Sequence, residues 1–207
     1  MHQYFIIYKP YMVLSQFTSQ QHKQTLADYF KVPKDVYPVG RLDEDSEGLL
    51  LLTNDKQLNH QLLDPMFAHE REYWVQVDGD ITTAAVDTLT KGVAINIDGK
   101  TYTTKKCTAS IFTEAPVVPP RNPPIRFRKD IAAPWIKLIL TEGKNRQLRR
   151  MTAQVGYPTL RLIRHRLQGL SLNNMQPGNI ISLPKNTVYK KLFPQTGLPP
   201  AAKASKQ

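Results

Sequence analysis

The order of apolar and polar positions divides the 207 residues into short, mixed elements. Phe5-Ile6-Ile7-Tyr8 is an apolar run, and residues 4 to 8 read as a strand cut off by Lys9-Pro10. Lys23 to Phe30 sets Leu26, Tyr29 and Phe30 at helical spacing. Gly48 to Leu52 is a continuous apolar run, the pattern of a strand buried on both faces. Asn54 and Gln57 have the spacing of a capping box and predict a helix through Leu58, Leu62 and Leu63. From Tyr73 to Asp78 the pattern alternates, with Tyr73, Val75 and Val77 on one face and Trp74, Gln76 and Asp78 on the other. Thr82 to Lys91 reads as a helix stopped by Gly92. A proline-rich loop from Pro116 to Pro124 precedes a second alternating strand, Trp135 to Thr141, after which Gly143 turns the chain. Arg146 to Val155 predicts a helix with Leu148, Met151 and Val155 on one stripe and Arg146, Arg149, Arg150 and Ala153 on another. Asn179 to Leu183 predicts a last strand. Strands and helices mix without repeats or regular alternation, so an α+β fold with a mixed, mostly antiparallel sheet is expected. Residues 1–193 suit two subdomains sharing a cleft, and the polar, Pro- and Ala-rich residues 194–207 a disordered tail.

Composition adds charge to this picture. Hydrophobic residues make up 41% of the chain, enough for a real core, and no apolar run approaches the length that spans a bilayer. Cys107 is the only cysteine, which excludes an intrachain disulfide and a cysteine metal cluster and points to a reducing cytoplasm. The five histidines (His2, His22, His60, His69, His165) form no His-x-x-x-His pair, and no metal site is expected. The net charge of +11 is concentrated. Residues 121–166 carry twelve bases, Arg121, Arg126, Arg128, Lys129, Lys137, Lys144, Arg146, Arg149, Arg150, Arg161, Arg164 and Arg166, against Asp130 and Glu142. Ten of the twelve are therefore expected to lack an acidic partner. Such a field attracts a polyanion, and nine of the twelve are Arg, which forks onto phosphate. A solvated basic face without a partner has the same composition.

The candidate chemistry lies in Gly40-Arg41-Leu42-Asp43-Glu44-Asp45-Ser46-Glu47-Gly48, followed by Leu49 to Leu52 and Thr53-Asn54-Asp55. It sets a group of acids and one Arg in a glycine-bounded loop before a buried strand, a common setting for catalytic groups. A carboxylate there can serve as nucleophile or base; equally, Asp43 or Ser46 can cap the backbone of a turn.

That stretch closely resembles the signature of the RsuA/RluB/RluE/RluF family of pseudouridine synthases, and further likenesses follow in the same order. Lys9-Pro10 resembles the family's first motif and Arg71-Glu72-Tyr73-Trp74-Val75 its Lys-x-Tyr-x-Val strand. Glu142 to Met151 resembles the third motif, and Leu162-Ile163-Arg164 with Leu172 and Pro177-Gly178 the C-terminal pattern. Tyr8-Lys9-Pro10-Tyr11, Val13-Leu14, Gln16-Phe17, Arg121 to Arg126, and Arg149 to Ala153 with Leu160 to Arg164 are similar to the RluE-type branch, which lacks an N-terminal S4-like RNA-binding domain. The chain leaves no room for one before Lys9. Met12 and Lys56 stand where many members have Gly, which bears on loop shape.

The resemblance implies the pseudouridine synthase fold, with residues 1–193 as the catalytic domain around one cleft. It implies isomerisation of a uridine in large-subunit (23S) ribosomal RNA, in the peptidyl-transferase domain, by base flipping and a C–N to C–C glycosidic rearrangement. No cofactor or metal is implied, and a cytoplasmic monomer acting on rRNA, naked or in an assembling particle, is expected. Asp43 would be the essential carboxylate, whether it attacks the sugar or ring or removes the 2′-proton. Arg149 matches the family's partner arginine, although a phosphate contact would suit it too. Tyr73 matches the active-site tyrosine, which would pack on uracil with its hydroxyl free for proton transfer; an inward Tyr on an alternating strand is also ordinary core. Arg41 would fill the space left by the flipped base or hold a phosphate, and Lys9 would support the cleft or touch RNA. Arg126, Arg128, Lys144, Arg146, Arg150 and Arg164 would supply phosphate affinity that weakens with salt. A non-catalytic RNA-binding protein would explain the basic segment but not Asp43, Tyr73 and Arg149 together. A hydrolase using Asp45 or Glu47 as second carboxylate would not explain the order of motifs.

Overall fold

A computed structural model describes residues 1–125 and 131–194. Arg126, Arg128 and Lys129, and the expected tail from residue 195 on, lie outside the described residues. Strands β1 (Tyr4–Lys9), β2 (Val13–Leu14), β3 (Gln24–Thr25), β4 (Tyr37–Pro38) and β5 (Glu47–Thr53) come first, followed by helix α1 (Lys56–Leu63). Strand β6 (Arg71–Val77), helix α2 (Thr83–Lys91), the hairpin β7 (Ala94–Ile97) and β8 (Lys100–Thr103), and strands β9 (Thr108–Ile111) and β10 (Trp135–Leu140) form the middle. Helix α3 (Gln147–Gln154), strands β11 (Thr159–Leu167), β12 (Leu170–Ser171) and β13 (Ile180–Ser182), and helix α4 (Lys185–Leu192) complete the described chain.

The main sheet runs β13-β1-β5-β11-β6-β10-β9, with β4 beside β5 and β12 beside β11. Among the described residues its pairs are antiparallel except β5 with β11, so the sheet is mixed and mostly antiparallel, as expected. All seven residues of β5 are buried. Leu49 and Leu51 enter one core, with Tyr4, Tyr8, Leu58 and Tyr189, while Leu50 and Leu52 enter another, with Ile7, Val13, Leu26 and Phe30. Trp74 packs on the first of these, and Val75 and Val77 enter a third core with α2 and α3. Because neighbours on a strand face opposite ways, one face of the sheet carries the first core and the other face carries the remaining two. The candidate site opens at the loop before β5, with Val39, Leu62 and Leu167 of the first core and Leu140, Leu148 and Leu162 of the third on its wall.

Three expectations need correction. Lys23 to Phe30 is not a helix: Gln24–Thr25 pairs in parallel with Val13–Leu14, and only Leu26–Asp28 makes a single 3-10 turn. The Asp28 carboxylate takes the Thr25 amide and hydroxyl at 2.7 and 3.0 Å and closes the chain after one turn. The cap of α1 is Asp55, not Asn54; Asp55 accepts from the amides of Gln57 and Leu58, while Asn54 binds the Gln3 amide and Asp35. The basic segment is also less free than its composition suggested. Of its nine described bases, Arg146, Arg149, Arg161 and Arg166 form ion pairs, all with acids outside the segment. Folding brings those acids in from β5, its preceding loop, β6 and the residue just before β6.

Candidate active site

The Asp43 loop is held by its backbone. Four consecutive carbonyls each receive a separate donor. Ser15 Oγ donates to Leu42 O at 2.8 Å, and the Ser46 amide to Asp43 O at 3.0 Å. Lys9 Nζ donates to Glu44 O at 3.2 Å, and Arg149 Nη2 to Asp45 O at 2.7 Å. The donors come from β1, the segment after β2, the loop itself and α3, so the loop's shape depends on tertiary assembly. Lys9 is fully buried and also donates to Pro10 O at 2.8 Å and Val13 O at 2.6 Å. Three carbonyls match the three N–H groups of an ammonium. Burial brings the Lys9 pKa down to about 7, against the opposing pull of Glu47, Asp45, Asp43 and Glu44. Lys9 is therefore a support of the loop and not a contact for RNA.

The loop's four acids differ in what they already hold. Glu44 pairs with Lys23 at 2.8 Å. Asp45 receives both terminal nitrogens of Arg146, at 3.0 and 2.8 Å, and lies 3.4 Å from Arg149 Nε. Burial pushes the Asp45 carboxyl up, but these two arginines outweigh it and hold it below the ordinary carboxylate range. Glu47 is 1% exposed and makes two 2.8 Å bonds to Arg161, which also donates to Pro119 O. Asp43 keeps a third of its side-chain surface open, and its ion-pair partner, Arg146 Nη1, stands off at 3.8 Å. The expected pairing of Arg149 with Asp43 is thus replaced: Arg149 grips Asp45, and Arg146 faces Asp43. The arrangement leaves Asp43 available while its neighbours are spent on structure.

A cleft of about 730 Å3 opens at this loop and brings together Arg41, Asp43, Tyr73, Lys144, Arg146 and Arg164. Tyr73 lies on the β6 face that carries Val75 and Val77, half-buried at the cleft wall. Arg164 is its cross-strand partner on β11. That arginine is 5% exposed and donates to Leu49 O at 2.8 Å, so it can meet only what enters the cleft and cannot serve as a surface phosphate contact. Burial lowers its pKa from the ordinary arginine value, and Tyr73 opposes that most. Arg41 is exposed at the mouth. Lys144 is exposed at the rim, its ammonium 5.0 Å from the Tyr102 ring centre. Lys9, Arg149 and Arg150 do not line the cleft; Arg150 donates to Asn96 O and to Asn145.

Sequence reading gave no role to Ser15, or to Glu142 and Arg71 beyond their place in motifs. Glu142 is buried and accepts from Tyr102, the Lys105 amide and Gln147, fixing the turn that presents Lys144 and Arg146. Arg71 lines the cleft and donates to His69 O and Leu62 O at 3.1 Å. A short polar residue such as Ser15 carries no local signal of a strap across 27 positions. No group of three or more His, Cys, Asp or Glu side chains suited to a metal ion occurs among the described residues, and no described helix is long and apolar enough to cross a membrane.

An ionisable carboxylate beside an aromatic wall, ringed by guanidinium groups, suits attack on a planar, sugar-linked base. Comparison with known proteins supplies the family. The family model described as RNA pseudouridylate synthase matches residues 3–154. The chain is 49% identical over 175 residues to ribosomal large subunit pseudouridine synthase E of Xanthomonas campestris, covering 84% of this chain and 91% of that protein. It is 47% identical over 173 residues to the protein of that name from Vibrio parahaemolyticus, covering 84% and 70%. Ribosomal large subunit pseudouridine synthase B of Bacillus subtilis is 30% identical over 188 residues, covering 90% of this chain and 70% of the relative. A crystal structure titled pseudouridylate synthase superposes with a TM-score of 0.75 at 23% identity, covering 93% of this chain and 74% of the other, which shows a shared fold.

Proposed function

Because the chain belongs to the RNA pseudouridylate synthase family, and is thus an isomerase that converts uridine to pseudouridine, we propose that it acts on a uridine of large-subunit (23S) ribosomal RNA with Asp43 as the reacting carboxylate. The substrate follows the names of its relatives, and the resemblance to the RluE-type branch points to the peptidyl-transferase domain. The observation that carries Asp43 is the division among the loop's acids: Glu44, Asp45 and Glu47 are held by close cations, and Asp43 faces the cleft with Arg146 at 3.8 Å.

The target base leaves its helix to reach Asp43, at a cost of a few kcal/mol, and Arg41 at the mouth fills the gap or holds the neighbouring phosphate. Uracil stacks on Tyr73. The bond from C1′ to N1 breaks, the base turns, and a bond from C1′ to C5 forms. N1 gains a proton and C5 loses one, a transfer assigned to the Tyr73 hydroxyl. Attack at C1′ and removal of the 2′-proton both require a carboxylate presented to the ribose, and Arg146 steadies its charge. Arg149 acts through the loop as a positioning residue.

Wild type and Asp43→Asn are incubated with unmodified large-subunit rRNA, and pseudouridine is read by carbodiimide adducts and primer extension. Loss of product in Asp43→Asn with RNA binding retained is the expected result. Product at the wild-type rate from Asp43→Asn would remove Asp43 from this role, and no product from wild type on naked rRNA or assembling particles would remove the substrate.

A further inference from the structure

Beyond the cleft stands a feature that the reaction does not use. The link from α1 to β6 exposes three large apolar side chains, Leu63 at 47%, Met66 at 84% and Phe67 at 48%. The link is a built object. Asp64 accepts from the Met66 amide, Pro65 opens a single 3-10 turn through Phe67, and Ala68 closes it in the left-handed conformation. The inner face of Phe67 stacks on His69, with ring centres 5.9 Å apart and planes at 23°. His69 is 5% exposed, and both its nitrogens are engaged, Nε2 with Gln61 O at 3.1 Å and Nδ1 with Gln168 Nε2 at 2.9 Å. Phe193 packs edge-on to His69 from α4's end, and Arg71 holds the carbonyls of His69 and Leu62. Phe67 is therefore oriented in advance, with its outer half in solvent.

Its position supplies the occupant. Leu63, Asp64, Pro65, Ala68 and His69 line the cleft, and Phe67, which lies between them in the chain and stacks on His69, stands just outside that lining. Leu63 approaches Gly40, where an added Cβ would lie 3.0 Å from its Cδ2, next to Arg41 at the mouth. We propose that Phe67 is a stacking platform for an unpaired base beside the flipped uridine in the substrate RNA. The idea rests on the proposed function for the presence of RNA in the cleft, and extends it to a binding residue outside the chemistry. A pre-oriented aromatic face takes any base, because every base has a π face, so the platform adds affinity with little sequence preference.

The test measures RNA affinity by filter binding, and kcat and KM for pseudouridine formation, on transcribed large-subunit rRNA. Phe67→Ala, Phe67→Leu and Phe67→Trp are made in the wild type and, for binding, in Asp43→Asn. Phe67→Ala is expected to weaken binding roughly 5- to 150-fold, the range for loss of one stacked base. The loss should appear in KM and Kd and not in kcat. Phe67→Trp should restore affinity, Phe67→Leu should not, and the loss should persist in the Asp43→Asn background. Equal binding by wild type and Phe67→Ala overturns the proposal. So does full rescue by Phe67→Leu, which would mean apolar burial without stacking. A defect seen only on assembled particles and absent on naked RNA also overturns it, in favour of a protein partner. Binding in the Asp43→Asn background reads the platform separately from the chemistry, so failure of the Asp43 assignment leaves this result interpretable.

Discussion

Arg149 sends one nitrogen to the Asp45 carbonyl at 2.7 Å and sets another 3.4 Å from the Asp45 carboxylate. A lysine would offer one nitrogen on a shorter side chain in place of the planar fork that spans these two contacts. Arg149→Lys is expected to lower kcat by about 10- to 100-fold through displacement of the loop, with KM for RNA nearly unchanged. A raised KM with intact kcat would instead mark a phosphate contact, so single-turnover kinetics separates the two roles. Met12 presents the opposite case. It stands where many family members have Gly and keeps the backbone conformation that suits Gly, with φ 58° and an exposed side chain. The left-handed conformation costs an L-residue about 1–2 kcal/mol, and the looser unfolded chain of a Gly variant offsets about 0.5–1 kcal/mol of that. Met12→Gly is therefore expected to raise stability by ~0.5–1 kcal/mol in urea unfolding. Lys56, the other departure, occupies the exposed first position of α1, where nothing requires Gly.

At the scale of elements, Asp55 joins three of them. It caps α1 with one oxygen, and its Oδ2 accepts from Tyr4 of β1 at 2.7 Å and Tyr189 of α4 at 2.6 Å. Burial raises the Asp55 carboxyl, but the tyrosines and the Leu58 amide outweigh that and leave it below the ordinary value. A carboxyl held lower in the folded state than in the unfolded one adds stability at pH above its unfolded value, about 3.9, and loses it as pH falls through the folded value. Asp55→Ala should cost at least ~2 kcal/mol near neutrality, and the difference from wild type should shrink below about pH 4 in guanidinium titrations. Gly48 joins β5 to β11 by close approach: its φ is 115°, and an added Cβ would collide with the Arg164 backbone. Gly48→Ala should cost about 3 kcal/mol or more and reduce activity along with it, because the loop and Tyr73 meet across that pair. Strand β5 was legible in the sequence because its run of leucines needs no partner to explain it. Strand β11 was not, because Arg161, Arg164 and Arg166 made Thr159 to Leu167 look like a charged surface. Its arginines are tied to Glu47, to the Leu49 carbonyl and to Glu70 and Glu72, partners that local pattern does not reveal. The β7–β8 hairpin did carry a signal, Asp98-Gly99 with φ of 50° and 81° between alternating residues, and that signal went unread. At the site, Asp43, Tyr73 and Arg41 were legible from motif order, whereas the place of Arg146 beside Asp43, where Arg149 was expected, and the burial of Lys9 and Arg164 depended on packing.

For the whole molecule, the basic segment acts partly as internal fastening and partly as surface. Lys144 stands exposed at the cleft rim, whereas Arg166 is tied to Glu70 and Glu72. Lys144→Gln should flatten the plot of log affinity for RNA against log salt by about one unit of slope, and Arg166→Gln should leave the slope alone while lowering Tm. A larger change of slope from Arg166→Gln would mean that its ion pairs open onto RNA. The order of strands has a consequence of another kind. Strand β1, made first, lies between β5 and β13, and β13 and α4 are made last. The loop that carries Asp43 waits on Arg149, and the strand beside β5 waits on Arg164, more than a hundred residues later. Contacts so distant along the chain form late and slowly. During synthesis the first half therefore emerges with the Asp43 loop lacking its Arg149 support and with one edge of β1 unpaired, an open strand edge that only the later β13 closes.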